Sequence, residues 1–185
     1  MTRILVAYYS RSGNTQTIAR QLARACKADL EPIVDVSPRE HMTGYLRSAY
    51  EAARHKPGEI QLAKHDPALY DLVVIGTPVW FWNMASPVRA YLLRHRGHLR
   101  RVAYFCTYGG AGQDKVLGDM VQLCGRPALD TLAVCAKDIA TTRHRDALTR
   151  FAQRLKSGAP PSMRPPQAPH PVDEAVISTE DRLWH

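Results

Sequence analysis

Ile4-Leu5-Val6-Ala7-Tyr8-Tyr9-Ser10-Arg11-Ser12-Gly13-Asn14-Thr15 decides how this chain is read. The first six residues form an apolar run of strand length. The next six are small, polar and rich in hydroxyls, and a helical pattern opens behind them. A strand that ends in such a loop and feeds a helix is built to hold an anion. The first amides of a helix lack intrahelical partners and carry partial positive charge. The hydroxyls of Ser10, Ser12, Thr15 and Thr17 add donors, and Gly13 permits a tight turn. No Gly-Lys-Ser/Thr closes the loop, which excludes the nucleoside triphosphate motif. A neutral cradle suits a phosphate monoester. Small polar residues also make ordinary strand-to-helix turns and caps, so this loop alone does not decide the ligand.

Apolar runs at 3–9, 29–34, 72–76, 102–107 and 129–134 predict five strands. Helical patterns at 15–26, 44–54, 87–96, 113–124 and 142–156 lie between or after them. Continuous apolar runs such as Leu72-Val73-Val74-Ile75 suit parallel strands covered on both faces. Strand alternating with helix predicts an α/β fold with a doubly wound sheet. Ser86-Pro87 reads as a helix cap followed by proline at the first helical position. In the second helical pattern, Leu46, Ala49, Tyr50 and Ala53 form an apolar stripe, while Tyr45 and Arg47 fall off it.

The expected domain spans residues 1–157. Six prolines crowd residues 159–171, so 158–185 reads as an extended or disordered tail. Val176, Ile177, Leu183 and Trp184 still offer it a way to dock on the body or on a neighbouring subunit. With 45% hydrophobic and 23% charged residues, the composition is that of a soluble globular chain. No apolar run approaches a bilayer span, and the first residues read as no secretory leader. The four cysteines are scattered without a Cys-x-x-Cys, which favours packed thiols in the cytoplasm over disulfides or a metal site. The net charge is +8, and the tail carries more acids than arginines, so the body is the more basic part. Such a body prefers anionic partners. Its densest cluster, Arg94-His95-Arg96-Gly97-His98-Leu99-Arg100-Arg101, is either a solvated helix end or a docking surface. No nucleic-acid-binding motif accompanies it.

Two more strand ends carry unusual loops. The first is Gly76-Thr77-Pro78-Val79-Trp80-Phe81-Trp82-Asn83-Met84-Ala85-Ser86-Pro87. Three aromatic residues in a strand-to-helix loop either pack beneath it or cover a flat ligand. The second is Thr107-Tyr108-Gly109-Gly110-Ala111-Gly112, whose glycines let backbone lie against a ligand. The three loops follow the first, third and fourth predicted strands. In an open α/β sheet, ligands bind beyond the carboxyl ends of the strands.

On these motifs the chain resembles the flavodoxin-like family over roughly residues 3–156. Ser10-Arg11-Ser12-Gly13-Asn14-Thr15 looks like the family's FMN phosphate loop. Thr77, Pro78, Val79, Trp80, Phe81 and Trp82 look like the loop on one face of the flavin ring. Thr107, Tyr108, Gly109, Gly110 and Gly112 resemble the third flavin loop. The resemblance implies a five-stranded parallel sheet in the order 2-1-3-4-5 with helices on both faces, an order of which flavodoxin itself is the standard example. It implies FMN as cofactor and no metal. Within the family, the aromatic loop and basic body look closer to quinone-reductase-like members than to acidic electron carriers. The implied activity is an NAD(P)H-dependent oxidoreductase passing electrons to a quinone or similar acceptor. The alternative is a one-electron carrier meeting an acidic redox partner protein. Arg11 points outward or reaches a second phosphate. No catalytic side chain is assigned, because hydride transfer to a flavin requires none, and the oligomeric state stays open.

Overall fold

The structure, a computed structural model, describes residues 2–36 and 59–158. The expected helix at 44–54, its stripe and the 159–185 tail lie outside the described residues.

The five predicted strands are present as β1 (Ile4–Tyr8), β2 (Asp29–Pro32), β3 (Leu72–Trp80), β5 (Val102–Tyr108) and β6 (Ala128–Cys135). They are all parallel and run in the order β2-β1-β3-β5-β6 across the sheet. This is the expected doubly wound topology. A two-residue strand, β4 (Asn83–Met84), pairs antiparallel with the end of β3. The helices are α1 (Asn14–Cys26), α2 (Ser86–His95), α3 (Gln113–Cys124), α4 (Ala136–Ala140) and α5 (Arg145–Ser157).

The layers follow from period-two alternation along buried strands. In β1, Leu5 and Ala7 face a core with Tyr91 and Leu92 of α2 and Val116 and Met120 of α3. Ile4, Val6 and Tyr8 face the other core, with Ile18 and Leu22 of α1 and Phe151 and Leu155 of α5. Each large side chain buried this way contributes about 1.5–3 kcal/mol.

Three local readings are corrected. The third strand does not stop at Gly76. Pro78 keeps its place opposite Thr107, and Val79 and Trp80 pair with Met84 and Asn83. The aromatic loop is therefore a hairpin. Ser86 is not the helix cap. The Ala85 carbonyl accepts from Val88 N (3.0 Å) and Arg89 N (3.1 Å), so Ala85 caps α2 and Ser86 is its first residue. The last helical pattern, expected from Thr142, begins only at Arg145: Thr142, a β-branched residue at φ 61°, lies in the turn that separates α5 from α4, a short helix the sequence reading did not expect.

α2 starts at the carboxyl end of the sheet and delivers the arginine cluster to the amino end. There, Arg100 Nη1 lies 3.5 Å from Asp71 Oδ1, and Arg101 Nε donates to Asp71 O (3.4 Å), beside the start of β3.

Candidate functional site

Loop 1 leaves β1 against β3, with Tyr9 N donating to Gly76 O (3.1 Å). Ser10 Oγ then accepts from Gly13 N (3.2 Å), which shapes the turn. Gly13 sits at φ 92° as the N-cap of α1, a backbone region costly for side chains, and open space surrounds it. Thr17 is spent on the helix, since both its amide (2.9 Å) and its hydroxyl (3.0 Å) donate to Gly13 O. The amides of Asn14, Thr15 and Gln16 precede the first intrahelical bond and have no partner within it. The first turn of α1 carries no acid, and Arg11 and Ser12 are exposed beside it. An anion fits here without like-charge repulsion.

Thr15 is buried, and its Oγ1 lies 2.8 Å from Thr107 Oγ1 of β5. α1 thus reaches across β3 and ties loop 1 to the root of loop 3. Gly76 of β3 is packed against the Phe105 ring of β5. A Cβ there would lie 2.0 Å from Phe105 Cζ, because the Phe105 ring occupies the space above β3. The packing role of Gly76, read only as the start of the aromatic loop, and the Thr15–Thr107 bond escaped the sequence reading. A glycine inside a strand is the signal for the first, marking close approach of another group.

Loop 2 is a two-residue hairpin turn at Phe81 and Trp82, with Trp80 opposite Asn83. Both turn residues have positive φ, 46° and 57°, where Asn-Gly is the favoured pair. Thr77, read as a ligand contact, is fully buried and holds the hairpin. Its Oγ1 accepts from Ala85 N (3.0 Å) and donates to Pro78 O (3.0 Å). Asn83 Nδ2 donates to Phe81 O (2.7 Å) and holds the turn. The three aromatic residues divide. Trp80 is half-buried and meets the Tyr9 ring of loop 1 edge-on, with centroids 5.7 Å apart. Phe81 is 50% exposed and Trp82 is 59% exposed.

Loop 3 begins at buried Thr107 and half-buried Tyr108. Burial, with neighbouring Cys135 next in size, pushes the Tyr108 phenol above its ordinary pKa, so the ring is neutral. Gly109, Gly110 and Ala111 are exposed, and Gly112 caps α3 at φ 98°. A Cβ on Gly112 would lie 2.8 Å from Trp82 Cδ1 and 3.0 Å from its Cα, so loops 2 and 3 touch there. Two buried acceptors near this contact, Asn83 Oδ1 and Gln113 Oε1, have no hydrogen-bond partner among the described residues. Burying an acceptor unpaired is costly, which makes the pair an unmet demand for donors. Neither residue was singled out from sequence.

All four cysteines are free. Among the described residues, no group of three or more His, Cys, Asp or Glu side chains is placed to hold a metal, and no helix is long and apolar enough to cross a membrane.

A parallel sheet in this order, with three ligand-type loops at one edge, defines the flavodoxin-like class. A family model described as Flavodoxin matches residues 3–151, and the chain belongs to that family. A relative from Chromohalobacter salexigens named NAD(P)H dehydrogenase (quinone) is 31% identical over 99 residues, 49% of this chain and 46% of its own length. The chain thus spans about half the length of the curated relative it matches. Among solved structures, a flavoprotein from Lactobacillus acidophilus in complex with FMN superposes with TM-score 0.65 at 24% identity, over 76% of this chain and 98% of the other. A flavodoxin, WrbA-like protein from Agrobacterium tumefaciens gives 0.52 at 16%, over 86% and 100%. At these identities the structures show the fold.

Proposed function

We propose that the chain is an FMN-binding oxidoreductase that takes reducing equivalents from NAD(P)H and gives them to a quinone-type acceptor. The observation that carries this reading is the convergence of three loops at one sheet edge. Loop 1 offers helix amides without an opposing acid, and loops 2 and 3 offer aromatic rings and unpaired buried acceptors. Ser12 and the amides of Asn14, Thr15 and Gln16 would hold the phosphate. Trp80 and Tyr108, on neighbouring strands, would flank the ring, and Gly109, Gly110 and Gly112 would bring backbone close to it. FMN, once bound, supplies the hydride and electron chemistry. The chain's own work is to bind and orient the cofactor and exclude water. The partly matching quinone dehydrogenase relative supports the choice of acceptor.

The test is reconstitution with FMN or FAD, chromatography of the heat-released flavin, then NAD(P)H oxidation with and without quinone. FMN retention with quinone-dependent turnover is expected. FAD as the sole released flavin would overturn the cofactor assignment. FMN retention without turnover would leave a one-electron carrier as the better reading.

A further inference from the structure

β2 is the outermost strand on its side of the sheet, and the chain returns beside its end. Val36 N donates to Glu59 O (3.0 Å) and Gln61 N to Val34 O (2.9 Å), so residues 59–61 run antiparallel to 34–36. A cleft of about 140 Å³ is bounded by β2, this returning stretch and Tyr91 of α2, and no residue of the three loops lines it. Its walls are Pro32, Ile33, Leu62 and Ala63. Leu62 is 87% exposed and marks the mouth, whereas Tyr91 is 1% exposed and closes the deep end. The Tyr91 hydroxyl is buried there without a hydrogen-bond partner among the described residues. The His95 ring, 4.6 Å from the Tyr91 ring, does not supply one, and its own Nε2 is unpaired too. Burial first, and then the charges of Glu31 and Asp66, hold the Tyr91 phenol above its ordinary pKa, so it is neutral and free to donate. A buried hydroxyl left in this state is an unmet demand for a partner.

The charges at the cleft select its occupant. Glu31 lines it, but its buried carboxylate is already spent. It accepts from Lys64 N (3.0 Å) and His65 N (3.2 Å), and His65 Nδ1 lies 2.7 Å away. The Lys64 side chain, in contrast, is exposed at the mouth and has no ion pair among the described residues. A ligand therefore meets a cation outside, apolar walls, and a hydroxyl within. We propose that the cleft is a second ligand site, separate from the flavin cradle, for a single-ring aryl carboxylate with a hydroxyl opposite its acid group. The carboxylate pairs with Lys64, the ring lies against Ile33 and Leu62, and the far hydroxyl pairs with Tyr91. A cavity of about 150 Å³ holds one benzene ring, so this volume admits one ring and excludes a nucleotide. The proposal does not rest on the oxidoreductase reading.

The probe is 4-hydroxybenzoate, titrated calorimetrically into the full chain with and without saturating FMN. A Kd of about 0.1–1 mM is expected for a ligand of about ten heavy atoms, and FMN should change it by less than about twofold. Benzoate lacks the hydroxyl and phenol lacks the acid, and each should bind about fivefold more weakly. Lys64→Met keeps the apolar stem. It should weaken 4-hydroxybenzoate about five- to tenfold and leave phenol within about twofold. Tyr91→Phe should bring 4-hydroxybenzoate down to the affinity of benzoate. Because the hydroxyl has no partner in the fold, the ligand-free Tyr91→Phe chain should melt no lower than the parent. No binding at about 10 mM probe overturns the site. Displacement by FMN puts the probe in the flavin cradle and overturns it as well. So does undiminished probe affinity in either Lys64→Met or Tyr91→Phe. A Tm several degrees lower in Tyr91→Phe would give the hydroxyl a partner within the fold, and would remove the demand on which the site rests.

Discussion

The two edges of the sheet solve opposite problems. The amino edge is dense in cations, several of them bonded to neighbouring backbone or carboxylate, although His95 Nε2 is buried there without a hydrogen-bond partner among the described residues. Arg3 N and Arg100 share the Asp71 carboxylate, and Arg101 binds the Asp71 carbonyl. Arg96 reaches Leu123 O (3.3 Å) at the end of α3, and Arg126 returns to Arg96 O (3.5 Å). The carboxyl edge is close to neutral and unsatisfied. It holds open helix amides, two unpaired buried acceptors and two aromatic residues at positive φ. Charge density and binding capacity therefore lie at different ends of this molecule. Arginines bonded to local carbonyls finish off helix ends and strand starts. A site is marked by polar groups and strain that the fold itself leaves unresolved.

The comparison breaks most severely at Gly76, which keeps the carboxyl edge in shape. Gly76→Ala forces a Cβ to 2.0 Å from Phe105 Cζ. The loss should be about 3 kcal/mol or more, read as a fall in Tm of about 6–12 °C. Gly118, exposed inside α3 with nothing around it, is the control. Gly118→Ala should raise stability by about 0.5–1 kcal/mol. A mild Gly76→Ala would show that the Phe105 ring is free to move aside. Ser12 comes next. Ser12→Ala should weaken FMN about tenfold and riboflavin little, because one hydrogen bond to a charged acceptor is worth about 1.5–3 kcal/mol. Equal losses for FMN and riboflavin would place the Ser12 hydroxyl outside the phosphate cradle. Smaller again is the division of the tryptophans. FMN should quench indole fluorescence, and Trp80→Phe should remove more of that quenching than Trp82→Phe. The reverse order would exchange their roles.

Strand positions and the three loops were legible in sequence because they rest on local signals, whereas the sheet order came only from the family resemblance. Continuous apolar runs mark buried parallel strands, and hydroxyls with Gly13 mark a helix start. What escaped is non-local. Thr15 and Thr107 are 92 residues apart, and no spacing rule joins them. Thr77 reads as a ligand contact because its loop does, but its hydroxyl faces the hairpin it closes. The hairpin was invisible for a sharper reason. Two-residue turns are recognised by Asn-Gly or a similar pair, and Phe81-Trp82 violates that rule. Local consistency fails at this turn, which is where function is expected to override it.

The smallest expected effect tests the amino edge. α2 is ten residues long and begins beside the aromatic hairpin, so its far end lies about 15 Å away along the helix axis. Replacing Arg94, Arg96, Arg100 and Arg101 with serine should leave the FMN Kd and the NADPH KM within about twofold at low salt. The exposed Arg100–Asp71 pair contributes little to stability, at most about 1 kcal/mol by the usual measure of surface ion pairs. The half-buried Arg101 contact with the Asp71 carbonyl adds the loss of one hydrogen bond, about 0.5–1.5 kcal/mol. Tm should therefore fall by only a few degrees. A rise in the NADPH KM that vanishes at high salt would have one meaning. The arginines would then be steering the nucleotide across the molecule, and the separation of charge from site would fail.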